Sequence, residues 1–511
     1  MRVHMQSMAI RRGLAVFASL ALITLARPAS AVPPADGWLV WQSNRQDARS
    51  EVYRAHADGT EVVRLTKMGG LLPLWAPDGR WIAFHDEANT GYLMRPDGSD
   101  VRTLTAGPPW FWLHDNSGVA VLQGGQIYRL DPETQETSLL VDAADFPQFA
   151  GASFGPTAIT QDNRYLLLGS SLFINGYTGT NGQFKSDFSA VVLDLFHKDR
   201  TYYLGSGCWP VAPPAGDLVF HVCADCPTHP DLYRMHLADL DTRKSYEPEV
   251  ANIDTDWGHE YNPRVSTDNK WLSYMASSGC HDSADCNYDI WVHQLGAGPT
   301  ERTHVIANPE NDAYPHIYVG PLWQKVSQPR LLLTPYKLLF YAGADFPSNT
   351  KTIKIKNSGG GTLGVAVVTT DPAASWLEVQ TDGASAIAFA LRSDVVRRGT
   401  YQTMVTVTVN GALGSPATVP VTLIADETYP APDGGVPMIG GLDGGESSLP
   451  GNDGGVVASD APSAGNSDSD APISKGDSGC GCTLDGPPRG TAFLFLLGMA
   501  VFYLARRRCK Q

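Results

Sequence analysis

The stretch that decides the fold reads Leu74-Trp75-Ala76-Pro77-Asp78-Gly79-Arg80-Trp81-Ile82-Ala83-Phe84. It places a Pro-Asp-Gly turn between two short apolar runs, as a tight connection between antiparallel strands requires. Two further segments follow, Gly91-Tyr92-Leu93-Met94-Arg95-Pro96-Asp97-Gly98-Ser99 and Arg102-Thr103-Leu104-Thr105. Together they predict four strands, A to D, in which the Asp-Gly pairs form turns and the large aromatic side chains fill the core.

The same pattern recurs along the chain to about residue 320. Weaker copies have their A–B turns at residues 115–118, 161–164, 214–217 and 267–270. A four-stranded unit cannot cover both faces of its own sheet, so a series of such units predicts the blades of a propeller arranged in a ring.

The ring closes, in this prediction, through the two ends of the repeat region. The first copy begins mid-unit at Pro34-Ala35-Asp36-Gly37 and continues with Trp38-Leu39-Val40-Trp41, so its strand A is missing. Asp312-Ala313-Tyr314-Pro315-His316-Ile317-Tyr318-Val319 is an A-like strand with no B, C or D after it. We therefore predict one six-bladed β-propeller over residues 34–323, closed by pairing of residues 312–319 with Trp38 to Trp41, which leaves no free edge.

The clearest copy resembles a known repeat. Its Trp75-Ala76-Pro77-Asp78-Gly79 turn with Ile82-Ala83-Phe84, followed by Asp97-Gly98-Ser99 and Leu104-Thr105, is similar to the TolB-type, WD40-like repeats of bacterial envelope proteins. The resemblance implies a propeller that binds proteins, peptides or sugars, and in which any catalysis would belong to another domain. Nothing in the motif itself is catalytic.

After Pro329 the pattern changes to strict alternation of apolar and polar residues, as in Thr352 to Lys356, Val405 to Val409 and Val419 to Leu423. Half-buried strands of this kind predict an immunoglobulin-like β-sandwich over residues 331–425, and an all-β chain overall. Five segments resemble BACON-like and related immunoglobulin-like domains of secreted bacterial proteins: Leu333-Thr334-Pro335, Ile355-Lys356-Asn357-Ser358-Gly359, Ser375-Trp376-Leu377-Glu378-Val379, Gly399-Thr400-Tyr401 and Pro420-Val421-Thr422-Leu423. That resemblance implies carbohydrate or mucin attachment, although we expect Trp376 in the core.

The two ends of the chain predict export. Arginines precede an apolar run from Gly13 to Ala26, and Ala29-Ser30-Ala31 follows, so residues 1–31 are predicted to be a signal peptide. Residues 426–479 form an acidic linker rich in Gly, Asp, Ser and Pro, which is predicted to be a disordered stalk.

The last segment, residues 480–511, combines Cys480 and Cys482, an apolar stretch over residues 490–505 that predicts a short helix, and the cluster Arg506, Arg507 and Arg508. This order resembles the C-terminal surface-sorting signals of myxobacterial proteins. It implies C-terminal anchoring at the cell surface or outer membrane of a Gram-negative bacterium. An ordinary transmembrane anchor is the alternative.

Export also governs the interpretation of the remaining cysteines. Cys280 and Cys286 bracket a short loop and are predicted to form a disulfide, and one further pair is expected among Cys208, Cys223 and Cys226. Zinc binding by Cys223, Cys226 and His229 is the competing interpretation. We expect no metal and no cofactor.

Charge limits the partners. The formal net charge is −15, and the one sharp basic cluster lies at the end of the chain, which argues against a nucleic-acid partner. We expect a protein, peptide or carbohydrate partner at the cell surface, and a membrane contact through the C-terminal tail.

Candidate ligand-binding residues fall where the B–C and D–A loops share one rim of a propeller: His85, Asp86, Trp110, Tyr177, Trp209, Trp257, His259, Glu260 and Asp312. Aromatic side chains beside carboxylates suit sugar stacking, a cationic peptide or a divalent ion, but ordinary solvated loops would have the same composition. His259 and Glu260 are adjacent, so on a strand they would face opposite ways.

Two functions follow. The first is a noncatalytic surface binding, adhesion or scaffold protein, and the alternative is a secreted propeller enzyme of polysaccharide-lyase or hydrolase type. Such an enzyme would need His, Glu or Arg in the central channel, whereas the predicted channel positions Trp75, Phe111, Val211 and Val265 are apolar.

Overall fold

The computed structural model describes residues 32–46, 49–147, 155–170, 189–223, 232–240, 247–250, 257–278, 287–298, 301–342, 350–392 and 395–425. Its regular structure is strand except for single 3₁₀ turns at Ala143–Asp145 and Leu237–Asp239, so the predicted all-β class is confirmed. Within these residues no helix has the length and apolar character needed to span a bilayer. The predictions for residues 1–31 and 426–511 lie outside the described residues.

In the described residues the first domain has 23 strands. In chain order they are β1 (Gly37–Ser43), β2 (Glu51–His56), β3 (Val63–Arg64), β4 (Leu71–Trp75), β5 (Ile82–His85), β6 (Gly91–Met94), β7 (Arg102–Thr103), β8 (Pro109–Trp112), β9 (Val119–Gln123), β10 (Gln126–Leu130), β11 (Thr137–Asp142), β12 (Gly155–Ile159), β13 (Tyr165–Ser170), β14 (Ser189–Asp194), β15 (Thr201–Val211), β16 (Leu218–Cys223), β17 (Leu232–His236), β18 (Glu247–Val250), β19 (Trp257–Val265), β20 (Trp271–Ser278), β21 (Tyr288–Gln294), β22 (Arg302–Ile306) and β23 (Asp312–Val319).

These strands pair in antiparallel meanders of four. The sheets are β4 to β7, β8 to β11, β19 to β22, and β23-β1-β2-β3, and a continuous sheet runs from β12 to β18. In that sheet β15 serves two meanders, because its first half pairs with β14 and its second half with β16. The first strands of successive meanders contact one another in a closed circuit, which is the arrangement of a β-propeller.

The predicted closing pair is present. β1 pairs antiparallel with β23, with Gly37 opposite Val319 and Ser43 opposite Asp312, so the first meander takes its innermost strand from the end of the domain. Asp312 is fully buried and accepts hydrogen bonds from Trp41 Nε1 at 2.7 Å and Arg45 Nη2 at 2.8 Å. Residues separated by about 270 positions are thereby joined through one carboxylate.

The innermost strands share an irregularity that determines which side chains face the axis. Each pairs with its neighbour through a register shift, the signature of a β-bulge. The shifts lie between Leu71 and Leu74, Pro109 and Phe111, Pro156 and Ala158, Cys208 and Val211, Tyr261 and Arg264, and opposite Val40 and Gln42 in the closing pair. In four of these strands the bulge contains a residue with positive φ immediately before a proline: Leu72, Trp209, Asn262 and Tyr314.

The second domain is built from two four-stranded sheets. Its strands are β24 (Leu331–Thr334), β25 (Leu338–Ala342), β26 (Thr350–Asn357), β27 (Ala366–Thr370), β28 (Leu377–Thr381), β29 (Ala386–Leu391), β30 (Gly399–Val409) and β31 (Ala417–Ala425). The sheet orders are β24-β26-β29-β28 and β25-β31-β30-β27. One apolar cluster joins both sheets, so they form a sandwich, and Trp376 is buried in that cluster as expected.

The sandwich contacts the propeller on the face that carries the A–B and C–D turns. Tyr336 donates through its hydroxyl to the carbonyl of His114 at 2.7 Å and through its backbone N–H to Asp115 at 3.2 Å. Lys356 Nζ lies 2.6 Å from a carboxylate oxygen of Asp131 in a C–D turn. The opposite face, with the B–C and D–A loops, carries none of these contacts.

Candidate functional site

A narrow cavity of about 50 Å³ lies on the axis of the propeller. Every innermost strand contributes lining residues, and several residues that directly follow these strands also line the cavity. The cavity is therefore the central channel. Its lining comprises Leu74, Trp75, Pro77, Phe111, Trp112, His114, Thr157, Ala158, Val211, Ala212, Pro214, Arg264, Val265, Thr267 and His316. A volume of this size admits a few water molecules or one small polar group.

The bulges explain why these residues reach the axis. The residue at the downstream end of each register shift, such as Leu74, Phe111 or Val211, lines the cavity. In β19 and β23 the same position holds Arg264 and His316. The repeated backbone irregularity therefore delivers two basic side chains into a channel that is lined mainly by apolar residues.

Arg264 is the permanent cation of the channel. Its Nη1 donates to the carbonyl oxygen of Thr157 at 3.2 Å, on the innermost strand two meanders away. Burial lowers the pKa of its guanidinium to about 10, which still leaves it charged at neutral pH. Among the described residues that line the cavity there is no aspartate or glutamate, so no carboxylate there compensates this charge.

His316 is neutral beside it. The backbone N–H of Trp75 donates to Nδ1 of His316 at 3.0 Å, and because a backbone N–H can only donate, that ring nitrogen carries no proton. Burial, reinforced by the positive charge of Arg264, lowers the pKa of His316 to about 3. The imidazole is therefore a neutral, hydrogen-bonded group at pH 7.

His114 lies at the A–B-turn end of the channel, next to the sandwich. Burial first, and then the ammonium group of Lys337 from the sandwich, lower its pKa to about 3. Its Nε2 is buried and has no hydrogen-bond partner among the residues that the structure describes. Lys337 Nζ is likewise buried without such a partner in the described part of the chain, and burial lowers its pKa to about 8.

The channel thus combines one guanidinium, two neutral imidazoles and apolar walls. A buried charge without a counter-charge is unfavourable, and a negatively charged ligand group would remove that cost. Guanidinium N–H groups bind carboxylate oxygens particularly well. The chemistry that this arrangement supports is recognition of an anionic group.

The predicted rim residues are distributed differently. His85 ends β5 as a buried residue with its Nδ1 2.9 Å from the carbonyl of Asp86. The Asp86 carboxylate accepts from the backbone N–H groups of Ala88 and Thr90 and from the Tyr92 hydroxyl, and these bonds lower its pKa despite partial burial. These two residues stabilise the B–C loop of their meander.

Two other rim carboxylates also have structural partners. Glu260 is fully buried in β19, where Arg302 Nη1 lies 2.8 Å away, and Asp312 holds the closing strand as described above. His259 precedes Glu260 in the same strand, so the two are not brought together by a loop. Trp257 also belongs to β19, and the side chains of Trp257 and His259 lie outside the described part.

Two of the remaining rim aromatics, Trp110 and Trp209, are partly buried. Trp110 lies on β8 against the apolar cluster of the third and fourth meanders, and Trp209 lies in β15 with its ring 6.0 Å from that of Tyr314. Tyr177 lies outside the described residues. The rim residues therefore do not form one cluster in the described part of the structure.

Most of the cysteines with predicted roles lie outside the described residues. Cys208 and Cys223 lie in the paired strands β15 and β16, where Cys208 is opposite Val222 and Cys223 is opposite Gly207. Cys226, Cys280 and Cys286 lie outside the described residues, as do Cys480, Cys482, Arg506, Arg507 and Arg508. Within the described ranges, no group of three or more His, Cys, Asp or Glu residues could hold a metal ion.

Sequence reasoning missed the polar part of the channel. Trp75, Phe111, Val211 and Val265 do line it, but Arg264 and His316 do too. A usable signal exists in the sequence, because Pro73-Leu74, Pro210-Val211, Pro263-Arg264 and Pro315-His316 all place the residue after a proline on the axis. Strict alternation along a strand cannot reveal this, since a bulge changes which side chains face inward.

Comparison with known proteins gives only structural neighbours. No family model matches the chain, and no curated protein sequence matches it. A putative TolB from Agrobacterium tumefaciens is similar over 56% of this chain and 99% of its own, with 13% identity and a TM-score of 0.35. An oligogalacturonate lyase from Vibrio parahaemolyticus is similar over 69% and 96%, with 10% identity and a TM-score of 0.30.

A third neighbour is the β-propeller domain of a protein from Myceliophteria thermophila, similar over 68% of this chain and 92% of its own, with 11% identity and a TM-score of 0.30. The neighbours include TolB-like and WD40-type propellers. The assignment of a propeller fold to this chain rests on its own strand pairing and on the closed circuit of its innermost strands.

Proposed function

We propose that this chain is a noncatalytic binding protein of the bacterial cell surface, whose six-bladed, TolB-like propeller takes an anionic group of its ligand into the central channel. The observation that carries the proposal is the guanidinium of Arg264 in a cavity whose described lining contains no carboxylate. Its one described hydrogen bond is to a backbone carbonyl, which leaves further N–H groups to bind a ligand. The partner is a protein, a peptide or a glycan.

The surface location rests on the ends of the sequence. A signal peptide over residues 1–31, an acidic stalk over residues 426–479 and a sorting tail over residues 480–511 would hold the two folded domains outside a Gram-negative cell. An immunoglobulin-like domain of the BACON type over residues 331–425 fits this placement. Recovery of the intact C-terminal peptide from surface-exposed protein would instead indicate an ordinary transmembrane anchor.

The alternative is a propeller enzyme of polysaccharide-lyase or hydrolase type. One observation favours it, because Arg264, His316 and His114 in the channel are residue types that such an enzyme would need. At neutral pH both imidazoles would be neutral.

Glycan and peptide arrays probed with the purified full-length protein test the proposal. The variant Arg264→Gln should lose the ligands that bind through an anionic group, whereas Arg129→Gln, on an outer strand, should retain them. Equal binding by wild type and Arg264→Gln would remove the channel from the proposal. Mass spectrometry of bound glycans that shows cleaved products, lost in a His316→Gln variant, would establish the enzyme instead.

A further inference from the structure

The size of the central channel limits which anionic group can reach Arg264. Its volume of about 50 Å³ holds on the order of four water-sized groups. Sites that enclose a whole small molecule are typically about 300–1,000 Å³, so the channel does not admit a sugar ring. A carboxylate at the end of a slender chain is small enough. The channel therefore favours a chain end over a ring as the part of the ligand that enters it.

The charge of the channel also favours a carboxylate. Burial is the cause that lowers the pKa of Arg264, and none of the described lining residues is a carboxylate that offsets its charge. Lys337, at the sandwich end, is instead stabilised in its charged form by Asp115 and Asp162. One uncompensated guanidinium matches one carboxylate, whereas a phosphate group would bring a charge of about −2. A singly charged group therefore fits the channel best.

Two aromatic side chains lie between the channel lining and the rim that faces away from the sandwich. Each innermost strand runs from that rim to its A–B turn, so Trp209 and Tyr314 precede the lining residues Val211 and His316 on the rim side. Their strands, β15 and β23, flank β19 in the circuit, yet their rings contact each other with centroids 6.0 Å apart. Because β20 to β22 lie on the outer side of β19, the two rings meet on its axial side. They border the path from the rim to Arg264.

The backbone holds both rings in place by an unusual conformation. Trp209 and Tyr314 each have a φ of +56°, in the left-handed region that large side chains rarely adopt, and each is followed by a proline. Such strained residues cluster at binding sites, because the surrounding structure must favour them strongly enough to offset the strain. The two rings are therefore fixed features of the path and can determine what passes them.

Asn262 supplies a second polar group at the bulge that contains Arg264. It lies two residues before Arg264, it is 1% exposed, and its Nδ2 has no hydrogen-bond partner among the residues that the structure describes. A buried amide N–H needs an acceptor. The hydrocarbon chain of a fatty acid offers none, whereas a peptide offers a carbonyl oxygen at every residue. These groups together favour a peptide as the chain that carries the carboxylate.

We infer that the ligand of the channel is an extended peptide, one carboxylate of which passes Trp209 and Tyr314 and binds the guanidinium of Arg264. This inference rests on the proposed function and narrows its ligand to one class. The carboxylate belongs to the C-terminus of the peptide or to a glutamate side chain, since both end in the same slender group. Trp209 and Tyr314 are specificity-determining residues that exclude bulkier anions.

Matched peptide arrays probed with the purified full-length protein test this inference. Peptides without acidic residues are attached through their N-termini, and each is present with a free C-terminal carboxylate and as the C-terminal amide. A third set carries the amide and one internal glutamate, and a fourth set consists of glycans that end in glucuronate. We expect the best free-acid peptides to bind at least tenfold more tightly than their amides. Recovery of binding in the third set would assign the carboxylate to a glutamate side chain.

Two variants test the path to Arg264. Trp209→Gly removes one ring at a backbone position that glycine adopts without strain, and it should raise the affinity for glucuronate-ended glycans at least tenfold. Leu72→Gly is the matched control, because Leu72 also has a positive φ before a proline, but its strand β4 lies beyond β23 in the circuit. It should keep the preference of the wild type.

A third variant tests the charge. Asn262→Asp places a carboxylate in the bulge of Arg264 without changing the size of the side chain, and it should weaken free-acid peptides at least tenfold without lowering the melting temperature. Retained binding in this variant would contradict the role of the uncompensated charge.

The remaining outcomes separate this inference from the proposed function. Equal binding of free-acid and amide peptides without recovery by glutamate, an unchanged preference in a folded Trp209→Gly variant, or tighter binding of glucuronate-ended glycans than of any peptide by the wild type would each overturn the inference. In the last case, loss of glycan binding in Arg264→Gln would still support an anion site in the channel. Glycan binding that is unaffected by Arg264→Gln would overturn the proposed function as well.

Discussion

Replacing Asp312 tests whether closure of the propeller depends on the carboxylate that joins its two ends. Asp312 is fully buried and accepts from Trp41 Nε1 and Arg45 Nη2, while the Asn308 amide also contacts it. In Asp312→Ala the indole N–H becomes a buried donor without an acceptor, and Arg45 loses its counter-charge.

The expected loss follows from these two contacts. A hydrogen bond that involves a charged group contributes about 1.5–3 kcal/mol. Arg45 is 18% exposed, so it can reach water after the change, and we add only about 1 kcal/mol for its ion pair. We therefore expect Asp312→Ala to lower the free energy of unfolding by about 3 kcal/mol, which corresponds to a fall in melting temperature of about 6–12 °C.

Urea unfolding followed by tryptophan fluorescence measures this effect in the propeller, because Trp376 is the only one of the 12 tryptophans beyond residue 330. Asp145→Asn is the control, since its ion pair with Lys198 is exposed on both sides and should be worth less than about 0.5 kcal/mol. Asp312→Asn keeps an acceptor for the indole and should fall between the two. A change below about 0.5 kcal/mol in Asp312→Ala would refute the reasoning.

Three further predictions concern titration and redox state. Burial lowers the pKa values of His114 and His316 from 6.5 to about 3, so as the pH falls the unfolded chain binds protons at these residues before the folded chain does. The free energy of unfolding should therefore fall as the pH drops from about 6.5 to 3. His316→Gln should reduce this slope in urea titrations at several pH values. Lys337→Met should leave the melting temperature unchanged or raise it at pH 7, because it replaces a buried ammonium that has no hydrogen-bond partner in the described chain, and a loss above about 1 kcal/mol would contradict this. Cys280 and Cys286 should be linked in peptides mapped without reductant, whereas alkylation of both thiols would favour metal binding.

The sequence predicted the parts of the fold that repeat. The turn at Asp78-Gly79 and its weaker copies locate the meanders, and the missing strand of the first copy correctly implied that residues 312–319 pair with the start of the domain. Those features depend on local turn chemistry and on the need to close an open sheet. The alternating segments of the sandwich were predictable for the same reason, since period-two patterning directly encodes one buried face.

The functional residues were harder to predict because they depend on irregularities. Glu260 and Asp312 looked like ligand-binding carboxylates beside aromatics, yet each is buried against an arginine from a distant segment, Arg302 or Arg45. Sequence proximity could not show those partners. Arg264 faces the channel because a bulge interrupts the alternation of its strand. The amino-acid composition does not indicate which side chains a bulge turns toward the channel.

The position of the sandwich determines how a ligand must approach the channel. Tyr336 bonds the backbone of His114 at the A–B-turn end, so the second domain occupies that side. The longest B–C connections of the sequence join β13 to β14, β16 to β17 and β20 to β21. All three begin at the end of the propeller that faces away from the sandwich. We therefore expect a ligand to reach Arg264 from that side. Substitutions in these connections should therefore change which ligands bind, whereas removal of the Arg264 guanidinium should weaken the binding of every ligand.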